Sequence, residues 1–194
     1  MNYLAHSFLA FSDGQITGQF LEDYIRNSER FSFPKEIQKG ISLHRAVDTF
    51  TDTHPEISEA KKIFSPLVRL YSGAFVDVAM DYFLANDEKI FPGLTLKEHS
   101  KKIYSVLKQN LNFFPESFHQ KLQRMENDDW LYNYRENWGI DFSMQNVLNK
   151  AKYLEKDIPV FHFFLENKEK LQNHYDHFFP DLLNFTKNVE ADLG

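Results

Sequence analysis

Apolar residues recur along this chain at helical spacing, and the runs are separated by Pro, Gly and short polar clusters. Leu4, Ala5, Phe8, Leu9 and Phe11 make one face of a helix over residues 2–11, closed by Ser12-Asp13-Gly14. Residues 18–27 read as a second short helix. Pro34 suits the first position of the next one, which Ile37, Ile41, Leu43, Ala46, Val47 and Phe50 carry to about Thr53. Pro55 opens a segment to about Phe64, and Pro66 a longer one to about Asn86. Residues 87–94, with Pro92-Gly93, form the clearest loop. Thr95 and Glu98 have capping-box spacing ahead of Ile103, Leu107 and Leu111. Pro115, Asn127-Asp128, Gly139 and Ser143 divide the following stretch into short helices. The C-terminal part, with Phe161, Phe163, Phe164, Phe178 and Phe179, predicts one or two long helices bent or broken near Pro180.

Composition supports an all-α chain. There are 20 Phe and 9 Tyr but only 7 Gly and 7 Pro, so long elements with few turns fit better than many short strands. With 194 residues, one domain spanning 1–194 is expected. Hydrophobic residues at 42% and charged residues at 26% exclude a disordered chain. The net charge of −6 argues against nucleic acid as a partner. The absence of cysteine excludes disulfides, a thiol nucleophile and thiolate metal sites. No apolar run approaches the ~18 residues of a membrane span, and no signal peptide opens the chain, so no membrane partner and a cytoplasmic location are expected.

Three groups of polar residues sit in apolar surroundings. Asp77 and Asp81 are the only charges in residues 74–85, AFVDVAMDYFLA, which read as a buried helix. They lie on one face, ~6 Å apart along the axis. Two buried carboxylates of like sign need compensation, by a metal ion, by buried salt bridges or by a shared proton. His44 and Asp48 also share a face and flank the apolar stripe. Imidazole and carboxylate at that spacing suit a divalent ion of the Mn, Fe, Co or Zn type, or else a plain His–Asp hydrogen bond. Asp52, ~12 Å further along the axis, reads as a cap or supporting contact. His6 lies among apolar neighbours, and Asp23 sits three residues before Arg26. Together these place acidic and imidazole groups on four helices, a recurrent way to build a metal site. His174 and His177 read instead as a solvated helix face. Nucleophile-elbow, Walker A, dinucleotide-binding and H-E-x-x-H motifs are absent.

Several of these segments resemble a known family. Asn2-Tyr3-Leu4-Ala5-His6, Phe20-Leu21-Glu22-Asp23-Tyr24-Ile25-Arg26, and His44-Arg45-Ala46-Val47-Asp48-Thr49-Phe50-Thr51-Asp52 come first. Asp77-Val78-Ala79-Met80-Asp81-Tyr82-Phe83-Leu84, Asp129-Trp130-Leu131 with Tyr134-Arg135, and Gln145-Asn146-Val147-Leu148 follow. In this order they resemble the acyl carrier protein phosphodiesterase family, over nearly the whole chain. The resemblance implies a helical bundle that is a rearranged relative of HD-domain metal phosphohydrolases. It implies hydrolysis of the phosphodiester joining 4′-phosphopantetheine to a serine of holo-acyl carrier protein. It also implies a divalent ion, usually Mn²⁺, with Fe²⁺, Co²⁺ or Mg²⁺ as alternatives. Where the family commonly reads Asp-His-Phe-Leu, this chain has Tyr82 in the second position.

On this reading Asp23, His44, Asp48 and Asp77 are the expected metal ligands. His6 and Asp81 are expected to orient water or handle protons, and Arg26 and Arg45 to clamp phosphate. An HD-like phosphohydrolase acting on a nucleotide and a non-catalytic carrier-binding module are the rival functions. A carboxylate-bridged di-iron protein fits less well, because the chain lacks the paired Glu-x-x-His motifs. An acidic carrier would need a local basic patch, for which Lys61-Lys62, Arg69 and Lys101-Lys102 are candidates.

Overall fold

The structure is a computed structural model that describes residues 1–193. It is 79% helical, with no strand among the described residues, in agreement with the all-α expectation. Helices α1 (Tyr3–Phe8), α2 (Asp13–Leu21) and α3 (Lys35–Thr53) come first. Then follow α4 (Pro55–Val68), α5 (Ser72–Ala85), α6 (Thr95–Gln109) and α7 (Glu116–Asn127). The chain closes with α8 (Trp130–Asn133), α9 (Asn137–Lys150), α10 (Val160–Glu166) and α11 (Lys168–Leu193).

Helix α5 is the centre of the bundle and packs against α1, α4, α9 and α11. Its apolar composition dictates this. Phe75, Val76, Ala79, Met80, Phe83 and Leu84 are all buried in one continuous core. Phe20, Phe64, Phe118, Phe164 and Phe178 fill the space between the helices. Each contributes roughly 1.5–3 kcal/mol by leaving water.

Two glycines set how closely α2 and α3 approach. A Cβ on Gly18 would stand 2.2 Å from the Ile37 carbonyl oxygen, and one on Gly40 would stand 2.3 Å from that of Gln15. The backbones therefore touch where no larger residue fits. This contact brings the end of α2 against the middle of α3, where His44 lies.

Three local expectations are corrected. Pro66 does not open a helix; it lies inside α4, which His54 caps by accepting from the Glu56 amide. The break comes at Arg69, whose φ of 51° turns the chain sharply into α5. Pro66 leaves the Lys62 carbonyl without its helical partner, and buried Phe64 and Val68 on either side hold α4 through it. Pro180 likewise lies within an unbroken α11, held on both sides by buried Phe178, Phe179 and Leu182. Thr95 is the first residue of α6 rather than its cap, and its hydroxyl donates to the Pro92 carbonyl. Within Pro55–Ala85 one 18-residue window reaches a mean hydropathy of 1.3, long and apolar enough by composition alone to cross a membrane. That apolarity serves the core contacts of α4 and α5.

Candidate active site

The site forms where α1, α2, α3 and α5 meet. His6 on α1 and His44 on α3 are both buried, and their rings stack with centroids 4.0 Å apart and planes 6° apart. Gln19 on α2 holds both. Its side-chain Oε1 is 2.9 Å from His6 Nδ1, and its backbone oxygen is 2.7 Å from His44 Nδ1. Both oxygens accept only, so each imidazole carries a proton on Nδ1 and donates it to Gln19. The two Nε2 atoms are thereby aimed at Asp48, one turn along α3. His6 Nε2 is 3.2 Å from Asp48 Oδ1, and His44 Nε2 is 3.2 Å from Oδ2.

The protonation states differ. Burial pushes the pKa of His6 down, and the neighbouring His44 and the Met1 ammonium add to this against the pull of Asp48. Burial also works against the charged form of His44, but Asp48 and Asp23 outweigh it, so its pKa is raised. Burial opposes ionisation of Asp48 too, but its hydrogen bonds to His44 and His6 dominate and hold it well below the usual carboxylate range. His6 Nε2, His44 Nε2 and the ionised Asp48 carboxylate thus face one another at hydrogen-bond distance, an arrangement of ligand atoms that a divalent cation would fit.

His6, His44 and Asp48 offer three ligand atoms within 4.8 Å of one another, and so do Glu22, Asp23 and His44. The donor set is two imidazoles and carboxylates, which fits a first-row divalent metal. His44 belongs to both groups. The buried Gln19 Nε2 has no hydrogen-bond partner among the described residues.

The other expected site residues are placed differently. Asp77 lies outside both groups. Its Oδ1 accepts from the Met1 ammonium at 3.1 Å, and that ammonium stands 3.8 Å from Asp48 Oδ1. Asp81, on the same face of α5, serves a different partner. It is fully buried, and its oxygens accept from the amides of Asn2 (3.4 Å), Leu4 (2.8 Å) and Ala5 (3.3 Å). An anion at that point satisfies the unpaired amides at the start of α1. Burial pushes the Asp81 carboxyl up to about 7 despite these amides. The pair is therefore two separate contacts rather than one shared ionic site.

Arg45 donates from Nε to Glu22 at 2.7 Å and from a terminal nitrogen to Asn27, which commits its guanidinium to that side of α3. Arg26 is exposed, in the loop after α2. Asp52 pairs with Lys61 on α4, as a supporting contact. His174 pairs with Glu56 at 2.6 Å. Tyr82 turns away from the site. Its ring packs on Phe83 and Phe164, and its hydroxyl accepts from Lys168. Gln19 and Glu22 were not singled out in the sequence. Gln19 is not a typical ligand, and the only hint was a run of polar residues, Gln15, Thr17 and Gln19, in a helix with apolar neighbours.

A cavity of about 620 Å³ opens beside this centre, bounded by Met1 and Asp77 on one side and by residues of α7, α8 and α9 on the other. Asn2, Tyr3, Trp130, Tyr134, Asn146 and Val147, from segments named in the sequence analysis, all line it.

The family model described as acyl carrier protein phosphodiesterase matches residues 1–182. The chain belongs to the acyl carrier protein phosphodiesterase family. Relatives of that name include one from Enterobacter sp. (strain 638), 30% identical over 98% of this chain and 100% of its own. One from Yersinia pestis is 30% identical over 94% of this chain and 96% of its own. One from Shigella boydii serotype 18 is 34% identical over 77% of this chain and 76% of its own. No solved structure matches the chain, so the HD-domain relation rests on the resemblance alone.

Proposed function

We propose that this protein is a metal-dependent phosphodiesterase. It hydrolyses the phosphodiester between 4′-phosphopantetheine and the serine of holo-acyl carrier protein, giving apo-carrier and free 4′-phosphopantetheine. The observation that carries the reading is the His6–His44–Asp48 group, which turns two imidazole nitrogens and a carboxylate toward one point. Membership of the family supports the choice of substrate. A cytoplasmic location goes with a carrier substrate.

His6, His44 and Asp48 would hold the ion, with Asp23 and Glu22 extending the set around His44. Mn²⁺ is the expected metal. When bound, such an ion withdraws charge from a phosphoryl oxygen and makes hydroxide available near neutral pH. Gln19 accepts from Nδ1 of both imidazoles and so aims both Nε2 atoms at Asp48. Asp77 stands between the centre and the cavity, where its charge and the Met1 ammonium border the path of a substrate. Asp81 acts by fixing α1, and through it His6. Arg26, expected to clamp phosphate, is exposed after α2 and belongs to neither cation group nor to the cavity lining.

The test is to incubate the protein with Mn²⁺ and holo-carrier and to weigh the carrier. The expected result is loss of the phosphopantetheine mass, abolished by chelation, restored by Mn²⁺, and absent in His44→Ala and Asp48→Ala variants with unchanged helical circular dichroism. Unchanged carrier mass with tight binding would mark a binding module. Cleavage of nucleotides but not of carrier would mark a nucleotide phosphohydrolase.

A further inference from the structure

The cavity beside the centre has a chemical character that the cation group does not explain. Its volume of about 620 Å³ is that of a small-molecule site, for which roughly 300–1,000 Å³ is typical. Lys121, Arg124 and Lys150 line it, and none has a carboxylate within 4.0 Å among the described residues. Lys121 is nonetheless held in place. Its ammonium donates to the hydroxyls of Tyr3 and Tyr24 and lies 4.5 Å over the Tyr3 ring. Lys121, held and without an acidic partner, is suited to phosphoryl oxygens, and Arg124 and Lys150 add exposed positive charge to a lining that also carries Asp77 and Asp128.

The remaining wall is of another kind. Trp138 and Phe142 line the cavity while 58% and 51% exposed, which is unusual for large aromatics unless they cover something. Trp130 lies beside Phe142. Asn146 projects an amide that makes no hydrogen bond among the described residues. An anion end, an apolar wall and a free amide together match a phosphorylated chain of alkyl and amide groups.

We propose that this cavity seats the phosphopantetheine arm. Lys121, Arg124 and Lys150 face the phosphoryl end, and Asn146, Trp130 and Phe142 face the amide chain. The assignment rests on the phosphodiesterase reading above. It adds that the arm lies between α5 and α9, past Asp77, rather than on the Arg26–Arg45 side. Of the basic candidates read from sequence, Lys61, Lys62 and Lys102 are paired with Asp52, Glu59 and Asp13, and Arg69 and Lys101 do not line the cavity.

Calorimetric titration of 4′-phosphopantetheine, of pantetheine and of AMP into the intact protein tests this. The intact protein should bind 4′-phosphopantetheine saturably and more tightly than AMP. Lys121→Gln and the exposed Lys150→Gln should each weaken 4′-phosphopantetheine at least tenfold and change pantetheine little. Asn146→Trp, which fills the cavity, should weaken both at least tenfold. Melting curves identify any variant that fails to fold, and Lys150→Gln, at the solvent-exposed end of α9, keeps the test decisive. Binding that folded variants leave unchanged, or tighter binding of AMP, would overturn the proposal. The carrier assay separates the two claims. Carrier turnover with variant-insensitive binding removes the cavity assignment alone, and variant-sensitive binding without turnover removes the phosphodiesterase reading alone.

Discussion

His6 and His44 lie face to face because one residue, Gln19, accepts a hydrogen bond from each, through its side chain and through its backbone. The paired imidazoles are thus positioned by α2, although neither belongs to it. Replacing the side-chain acceptor in Gln19→Leu should free His6 while leaving the backbone contact to His44. Groups that orient a ligand from behind typically carry 10–100-fold in metal affinity or activity. A loss of that size in Mn²⁺ affinity is expected, with Gln19→Glu, which keeps an acceptor, retaining most of it. Titration of Mn²⁺ into the three proteins measures this, and equal affinities would show that Gln19 does not position the site.

Asp81 gives a stability prediction with a defined sign. Its carboxyl is pushed up to about 7 by burial, above the ~3.9 of an unfolded chain. The folded state then binds the extra proton between these values. The stabilisation from Asp81 is complete below pH ~4 and is lost as pH rises through about 7. Asp81→Asn removes this titration and turns an NH₂ toward backbone donors, at a cost of about 1–3 kcal/mol. The gap in melting temperature between wild type and Asp81→Asn should be wider at pH 5 than at pH 8. A gap that widens with pH would contradict the assignment.

The α2–α3 contact is equally open to test. A methyl group at position 40 would press on the Gln15 backbone, which has no room to yield. Gly40→Ala should cost about 1–3 kcal/mol, read as a fall of several degrees in melting temperature. Gln19 moves with α2, so weaker Mn²⁺ binding should accompany it.

Tyr82 stands where the resemblance leads one to expect histidine. Its hydroxyl meets Lys168 and its ring meets Phe164, both away from the centre. Tyr82→Phe should therefore leave carrier turnover unchanged and cost at most about 1 kcal/mol of stability. A large fall in turnover would mean that the hydroxyl reaches the reaction.

How much of this was legible in the sequence depended on distance along the chain. The His44–Asp48 pair was visible because both residues belong to one helix, where a spacing of four fixes their proximity. His6 was recognisable only as a polar residue among apolar ones, since its partners Gln19 and Asp48 come from α2 and α3. Asp77 and Asp81 looked equivalent by spacing. They are not, because the amides of α1 cap one and the Met1 ammonium meets the other. Pro66 and Pro180 suggested breaks that packing overrode. The helix run around Leu43, Val47 and Phe75 to Leu84 followed from apolar periodicity alone, which reports burial without reference to a partner.

Helix α1 has six residues, too few to persist on its own in water. It is secured by one carboxylate contributed by α5, at the centre of the bundle. The amides of Leu4 and Ala5 therefore report on a local opening that need not involve the rest of the bundle. Their hydrogen exchange should be faster than that of α5, and it should slow when the cation site fills, because the ion ties His6 to the remainder of the fold. Delivery of that imidazole is in this sense a reversible event, and the fraction of molecules with α1 docked sets how many are competent at any moment.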